Sequence, residues 1–256
     1  MASESPLHQF EIQPMGAPLF ELGGYPVGFT NSSLVMIISL FAVCTFLILG
    51  MRKKAVIPGR WQAISEMSHQ FVAGLIKDNI GPEGRVFFPL IFTLFMFILF
   101  ANLLGMFSFV PHGYAVTSQI AVTFALAILV FLTVTIYGFV KHGLHFFSLF
   151  APSGVPLWIM PFIIPIEMVS FLARPISLSI RLAAAMTAGH VLLEVIAGFI
   201  ATFIAALGIY GGIAAGTLPL ALLVLLIGLE IFICFLQAYI FALLASIYLH
   251  DAVHLH

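Results

Sequence analysis

An apolar tract that runs almost unbroken from residue 155 to residue 249 limits this chain more than any other feature. About 20 apolar residues carry a helix across the roughly 30 Å of bilayer hydrocarbon, and this tract is several times longer. Three shorter runs, at 33–51, 86–110 and 119–140, meet the same length requirement. Composition closes the case: 62% of the chain is hydrophobic and 7% is charged, whereas a soluble domain carries about a quarter charged residues. Lipid offers backbone N–H and C=O groups no partner, so the spans must be helices or a closed barrel, and runs this long are helices. The expected fold is an all-α integral membrane protein with about five membrane helices. A formal charge of −1 leaves no basic surface for nucleic acid.

The segment 58–79 differs in kind. Trp61, Ile64, Met67, Phe71, Val72, Leu75 and Ile76 recur at helical spacing, with Glu66, His69, Lys77 and Asp78 between them. That pattern predicts an amphipathic helix lying at the membrane interface. Gly81-Pro82-Glu83-Gly84 then turns the chain into the second span. The organisation reads as a tail at 1–32, three spans with the interfacial helix at 33–154, and a long apolar region with a short tail at 155–256.

Orientation follows from the basic residues, which favour the cytoplasmic side of short loops. Arg52, Lys53, Lys54, Arg60, Lys77 and Arg85 all fall between the first two spans, and Lys141 follows the third. The N-terminal tail holds Glu4, Glu11 and Glu21 but no basic residue. The tail is therefore expected outside, and the loop at 52–85 inside. With no Lys or Arg and no short apolar core, the first 15 residues do not read as a cleavable signal.

Residues 155–207 would reach roughly 80 Å as one helix at about 1.5 Å per residue. Pattern alone admits two spans turning near Arg174-Pro175, or one long, kinked and tilted helix. A break is expected at 208–216, where Gly208, Gly211, Gly212 and Gly216 cluster, and a second long helix at 218–249.

Six ionisable residues stand in this region: Glu167, Arg174, Arg181, His190, Glu194 and Glu230. A charge at mid-bilayer costs on the order of 3 kcal/mol even on lenient scales, so such groups face a bundle interior or water and mark ion pathways. Glu167, Arg174 and Arg181 repeat every seven residues, two helical turns, and so share one face of a continuous helix. His190 and Glu194 are four apart on one face, and Glu230 and Gln237 repeat the seven-residue interval. Imidazole and carboxyl groups relay protons; a guanidinium keeps its proton and can only pair or repel. Titratable groups interrupted by a permanent cation are what a gated proton path requires.

The run Arg174-Pro175-Ile176-Ser177-Leu178-Ser179-Ile180-Arg181-Leu182, continued by Ala188-Gly189-His190, resembles the signature of the a subunits of F-type ATP synthases. Leu236-Gln237-Ala238-Tyr239-Ile240-Phe241 resembles that family's second signature, and Asn102-Leu103-Leu104-Gly105 also fits. The similarity extends over nearly the whole chain. It implies a non-catalytic stator subunit of a rotary proton motor, packed against a ring of c subunits and joined by peripheral-stalk b-type subunits. It also implies that the last two helices form a long, steeply tilted hairpin. By motif position, Arg181 matches the arginine that faces the ring carboxylate, and His190 and Glu230 the polar pair of the outer half-channel. Gln237 matches the glutamine near the arginine, and Glu167 and Arg174 match polar positions on its inner side. Glu194 joins the expected proton path by its place on the His190 face.

Two departures are visible. Ala185 stands where many relatives have Asn, and many bacterial relatives exchange the residue types of His190 and Glu230, while mitochondrial members often share the arrangement here. A bacterial inner membrane is the expected location, with the mitochondrial inner membrane as the alternative. Depth agrees with the resemblance: His190 lies about 13 Å outward of Arg181 along an outward-running helix, and Glu230 precedes Gln237 on the returning one.

The remaining residues get plainer readings. His250, His254 and His256 are expected in a solvated tail, not a metal site. Cys44 and Cys234 are expected as small core residues. No phosphate-binding loop is present, and no cofactor is expected. A self-contained secondary transporter would carry an internal repeat, which is not visible; a non-conducting scaffold has no use for intramembrane charge.

Overall fold

The structure, a computed structural model, describes residues 11–15, 20–22, 25–52, 55–106, 115–150 and 158–254. Readings made at Glu4, Lys53, Lys54, His256, residues 107–114 and residues 155–157 lie outside them. The described elements are a short antiparallel pair, β1 (Phe20–Leu22) and β2 (Tyr25–Val27), then α1 (Asn31–Met51) and α2 (Arg60–Asn79). A 3₁₀ turn at Pro82–Phe87 leads into α3 (Phe88–Met106), followed by α4 (Ile120–His142) and α5 (Met160–Val253). Among the described residues four helices are long and apolar enough to cross a membrane, including α5 with its 94 residues. Gly208 interrupts α5 with φ 71° and ψ 178°, a region essentially reserved for glycine. The chain is therefore a multi-pass, all-α membrane protein, with five membrane-length segments among the described residues.

Packing divides the chain into two compact units. The first comprises Met1–Ala42, Ile98–Gln119 and Ala183–Gln237; the second comprises Val43–Phe97, Ile120–Leu182 and Ala238–His256.

In the first unit the chain reverses at Gly208. A side chain at Gly212 would strike the Ile204 backbone, one at Gly216 would touch Ile200, and one at Gly189 would meet Glu230. Successive pairings that converge on Gly208 define an antiparallel helical hairpin. The expected break over 208–216 narrows to one residue: Gly211, Gly212 and Gly216 are helical, and the buried pair Gly212 and Gly216 admits the opposite arm at close range. In the same unit, Asn31 binds the N-terminal segment to the start of α1. Its Oδ1 accepts from Gln13 N at 3.2 Å and Ser32 N at 2.9 Å, and its Nδ2 donates to Glu11 O at 3.1 Å.

In the second unit the helix from Met160 runs through Pro175 without turning, which decides between the two readings the pattern allowed. Proline removes one backbone donor, a loss that membrane helices tolerate when neighbours re-satisfy the freed carbonyl. Phe171, Pro175, Leu178 and Leu182 form the buried face of this stretch. Ala238, Ala242, Ala245, Leu249 and Ala252 form a buried face on the last stretch of α5, small residues at helical spacing that permit close approach. Helix α5 continues to Val253, so the expected tail from residue 250 is helical, and His254 Nε2 lies 3.3 Å from Ile80 O. Gly138 leaves room for the Phe146 ring.

Hydroxyl groups in the apolar helices hydrogen-bond their own backbone one turn earlier, as Thr187 does to Ala183 O at 2.8 Å and Thr133 to Leu129 O at 2.8 Å. That is how a polar side chain is tolerated in hydrocarbon. Cys234 is buried as expected, whereas Cys44 is exposed on α1, where a small apolar group suits lipid equally well.

Candidate functional site

In the first unit the hairpin brings His190 and Glu230 together. Their burial is nearly complete, at 7% and 3% exposure, and Nε2 stands 3.7 Å from Oε1. That is an ion-pair distance, slightly beyond a hydrogen bond. Glycine at 189 is what leaves room for the carboxylate, because a Cβ there would sit 2.9 Å from Glu230 Oε1. The fully buried Asn102 on α3 donates through Nδ2 to Cys234 O at 3.2 Å, one turn beyond Glu230, and so holds the arm that carries the carboxylate. Gln237 is half-buried in the same unit. Glu194 shares a face with His190 by spacing but is exposed; the structure does not bring it into the buried pair.

The second unit holds a different arrangement. Arg174 Nη1 lies 2.9 Å from Asp251 Oδ2, and its guanidinium carbon stands 4.9 Å from the Tyr248 ring centroid and 5.5 Å from that of Phe171. This cation has one carboxylate and two aromatic faces around it, a set suited to a planar guanidinium. Arg181, two turns along, is exposed and makes no ion pair among the described residues. Ala173 and Ser177, eight and four residues before it, are exposed too, so the surface beside Arg181 is low and open to a close neighbour. Glu167 is half-exposed.

One end of the second unit is tied by charge. Lys141 Nζ donates to Glu83 Oε2 at 2.7 Å and to Val253 O at 3.2 Å, joining the end of α4, the turn before α3 and the last carbonyls of α5. A cation against free carbonyls at a helix C-terminus is favourable.

Sequence reasoning missed Asp251 and Tyr248. Tyr248 falls in the last turn of the expected helix and Asp251 just past its end, and the available signal was that Asp251 is the only side-chain carboxylate after Glu230. Asn102 was noted as part of a motif, but its bond to Cys234 O joins segments far apart in the chain and leaves no periodic trace.

Comparison with known proteins adds an independent line. The ATP synthase A chain family matches residues 33–250. The ATP synthase subunit a of Rhizobium etli is 52% identical over 252 residues, covering 98% of both chains. That of Parvibaculum lavamentivorans is 50% identical over 97% of this chain and 93% of its own. The Paramagnetospirillum magneticum protein of the same name is 46% identical over 98% and 99%. A match over most of the chain, at about half identity and with little length left over on either side, places this chain in the ATP synthase A chain family.

Proposed function

We propose that this chain is the proton-conducting stator subunit of a rotary ATP synthase, with two aqueous half-channels and Arg181 as the barrier between them. Family membership makes it a non-catalytic, membrane-sector subunit of the ATP synthase complex. The finer reading assigns His190 and Glu230 to the outer half-channel, with Glu194 at its exposed mouth and Gln237 further along the second arm. Glu167 and Arg174 belong to the inner side. The partners are a ring of c subunits, whose carboxylates take and release the protons, and b-type subunits of the peripheral stalk. The hairpin of α5 lies tilted along the ring, in a bacterial inner membrane with the N-terminal tail outside. The bacterial relatives and the basic residues Arg52, Arg60, Lys77, Arg85 and Lys141 support that location and orientation.

One observation carries the reading: of the two arginines on the apolar helix, Arg174 is paired with Asp251, whereas Arg181 is exposed without an ion pair among the described residues. A cation left open on an apolar surface is costly in lipid and is stabilised when a carboxylate of another chain arrives. A carboxyl within about 4–6 Å of such a charge has its pKa lowered by roughly 1 to 3 units. A protonated ring carboxyl reaching Arg181 therefore releases its proton there, and the fixed charge repels a proton passing directly between the half-channels. On the outer side, a carboxyl and an imidazole 3.7 Å apart can pass a proton through a small rotation or one bridging water.

ATP-driven proton pumping and proton-driven synthesis in membranes carrying Arg181→Ala or Arg174→Ala test the assignment. Arg181→Ala is expected to abolish coupling in an assembled complex and to open a passive leak, and Arg181→Lys to be poor as well, because an ammonium lacks the planar donor fork. Arg174→Ala is expected to keep most of the activity. The reverse pattern assigns the barrier to the wrong arginine.

A further inference from the structure

Away from the hairpin, a groove of about 410 Å³ opens between the end of α2 and the start of α3. Its apolar wall includes Ala73, Ile76, Pro82 and Phe88. The His69 ring packs on Phe88, with centroids 4.5 Å apart, and steadies that wall. Two charged side chains line the groove, Lys77 and Arg85, both exposed and both cationic. No carboxylate lines it, and neither cation makes an ion pair among the described residues. Of the two acids nearby in the chain, Glu83 is taken by Lys141 at 2.7 Å, and the exposed Asp78 is not among the lining residues. Gly81, at φ 85°, makes the turn that lets Lys77 and Arg85 border one groove.

Depth matters as much as charge. Arg85 stands three residues before α3, where the apolar span begins, and Lys77 lies in the last turn of the amphipathic α2. The same helix exposes Trp61, Ile64 and Met67, the kind of side chains that sit at the boundary of headgroups and acyl chains. A groove with paired cations at headgroup level and an apolar wall running toward the hydrocarbon matches one amphipathic anion: a phosphate diester carrying acyl chains. Basic pockets between membrane helices bind anionic headgroups in this way. We propose that this groove is a binding site for an anionic phospholipid, its phosphate held by Lys77 and Arg85 and an acyl chain lying over Ala73, Ile76 and Phe88.

The test uses the intact complex reconstituted in phosphatidylcholine vesicles with a trace of photoactivatable phosphatidylglycerol, with adducts mapped on the peptide covering residues 69–88. Removing each cation is expected to lower labelling about fivefold, from roughly 1 kcal/mol per charge near the surface. Lys77→Ala with Arg85→Ala should then fall about 25-fold, while Lys77→Arg with Arg85→Lys stays near the starting level. Unlabelled phosphatidylglycerol should compete, and inorganic phosphate should not. Equal labelling by a photoactivatable phosphatidylcholine, or unchanged labelling in the double alanine variant, overturns the proposal. Competition by inorganic phosphate as strong as by lipid reduces the site to a bare anion site and also overturns it. So does protection of the peptide by a neighbouring polypeptide. The readout is a lipid adduct, so it stands or falls independently of proton coupling.

Discussion

His190–Glu230 and Arg174–Asp251 are both pairs of ionisable side chains on helix α5, built to opposite specifications. The first joins an imidazole and a carboxyl, both titratable, held 3.7 Å apart with side-chain exposures of 8% and 4%. The second joins a permanent cation to a carboxylate at 2.9 Å, with side-chain exposures of 24% and 29% and aromatic rings on the guanidinium. Around Glu230 the neighbouring residue is glycine, which leaves the carboxylate space. Around Arg174 the neighbours are Phe171 and Tyr248, which hold it in place. On the proposed function, the deeply buried pair, not locked in a short bond, is the one that passes protons, and the short, partly solvated pair to arginine is the one that fixes geometry. The two pairs on one helix thus differ in distance, burial and crowding as well as in residue type.

The strongest way to break that contrast is to remove one member of the buried pair. Glu230→Leu should lower proton-driven ATP synthesis about 100-fold, within the range for losing a positioned proton-transfer group, with the complex still assembled on a native gel. His190→Glu combined with Glu230→His should recover more activity than either single exchange, because groups in contact are non-additive. Singles and double that fall independently would mean the two side chains do not act as a pair.

A subtler change probes the room beside the carboxylate. Gly189→Ala would place a methyl 2.9 Å from Glu230 Oε1, and a flexible carboxylate yields more readily than a backbone. Synthesis should slow about tenfold through displacement of the reacting group, with little change in thermal stability. A wild-type rate would show that the spacing of the pair is not critical.

The smallest effect belongs to the other pair. Arg174→Ala should lower thermal stability by about 1 kcal/mol, the upper range for a partly exposed ion pair, and leave proton pumping near wild type. Asp251→Ala should do the same, and the double variant should cost little more than either single, since one interaction is lost only once. A thermal-unfolding series on the purified complex reads this directly. Loss of pumping in Arg174→Ala would erase the distinction between the pairs.

Much of this was legible in the chain itself. The membrane spans follow from run length, and α1, α3 and α4 start or end within a few residues of the runs that predicted them. The interfacial helix was visible in its periodicity, yet its apolar set is divided: Val72, Leu75 and Ile76 are buried while Trp61, Ile64 and Met67 are exposed. Spacing puts both groups in one amphipathic pattern and carries no information about which members meet protein. The same limit explains Glu194, which the i, i+4 rule aligned with His190 but which is exposed.

Hydropathy and the cost of charge in lipid act on each segment independently of its neighbours, so the sequence by itself determined the membrane class, the number of long apolar segments and which ionisable residues demand explanation. Pairing is a different kind of information. Whether Arg174 meets Asp251, Glu230 meets His190 or Asn102 meets Cys234 O depends on contact between segments far apart in the chain. The register of the hairpin was likewise decided in three dimensions, by a reversal at Gly208 and by glycines at 189 and 212 that allow the opposite arm to approach. Local periodicity places a side chain on a face; only close packing of one face against another selects its partner, and for an arginine in an apolar helix the partner decides whether the charge is structural or open to a second protein.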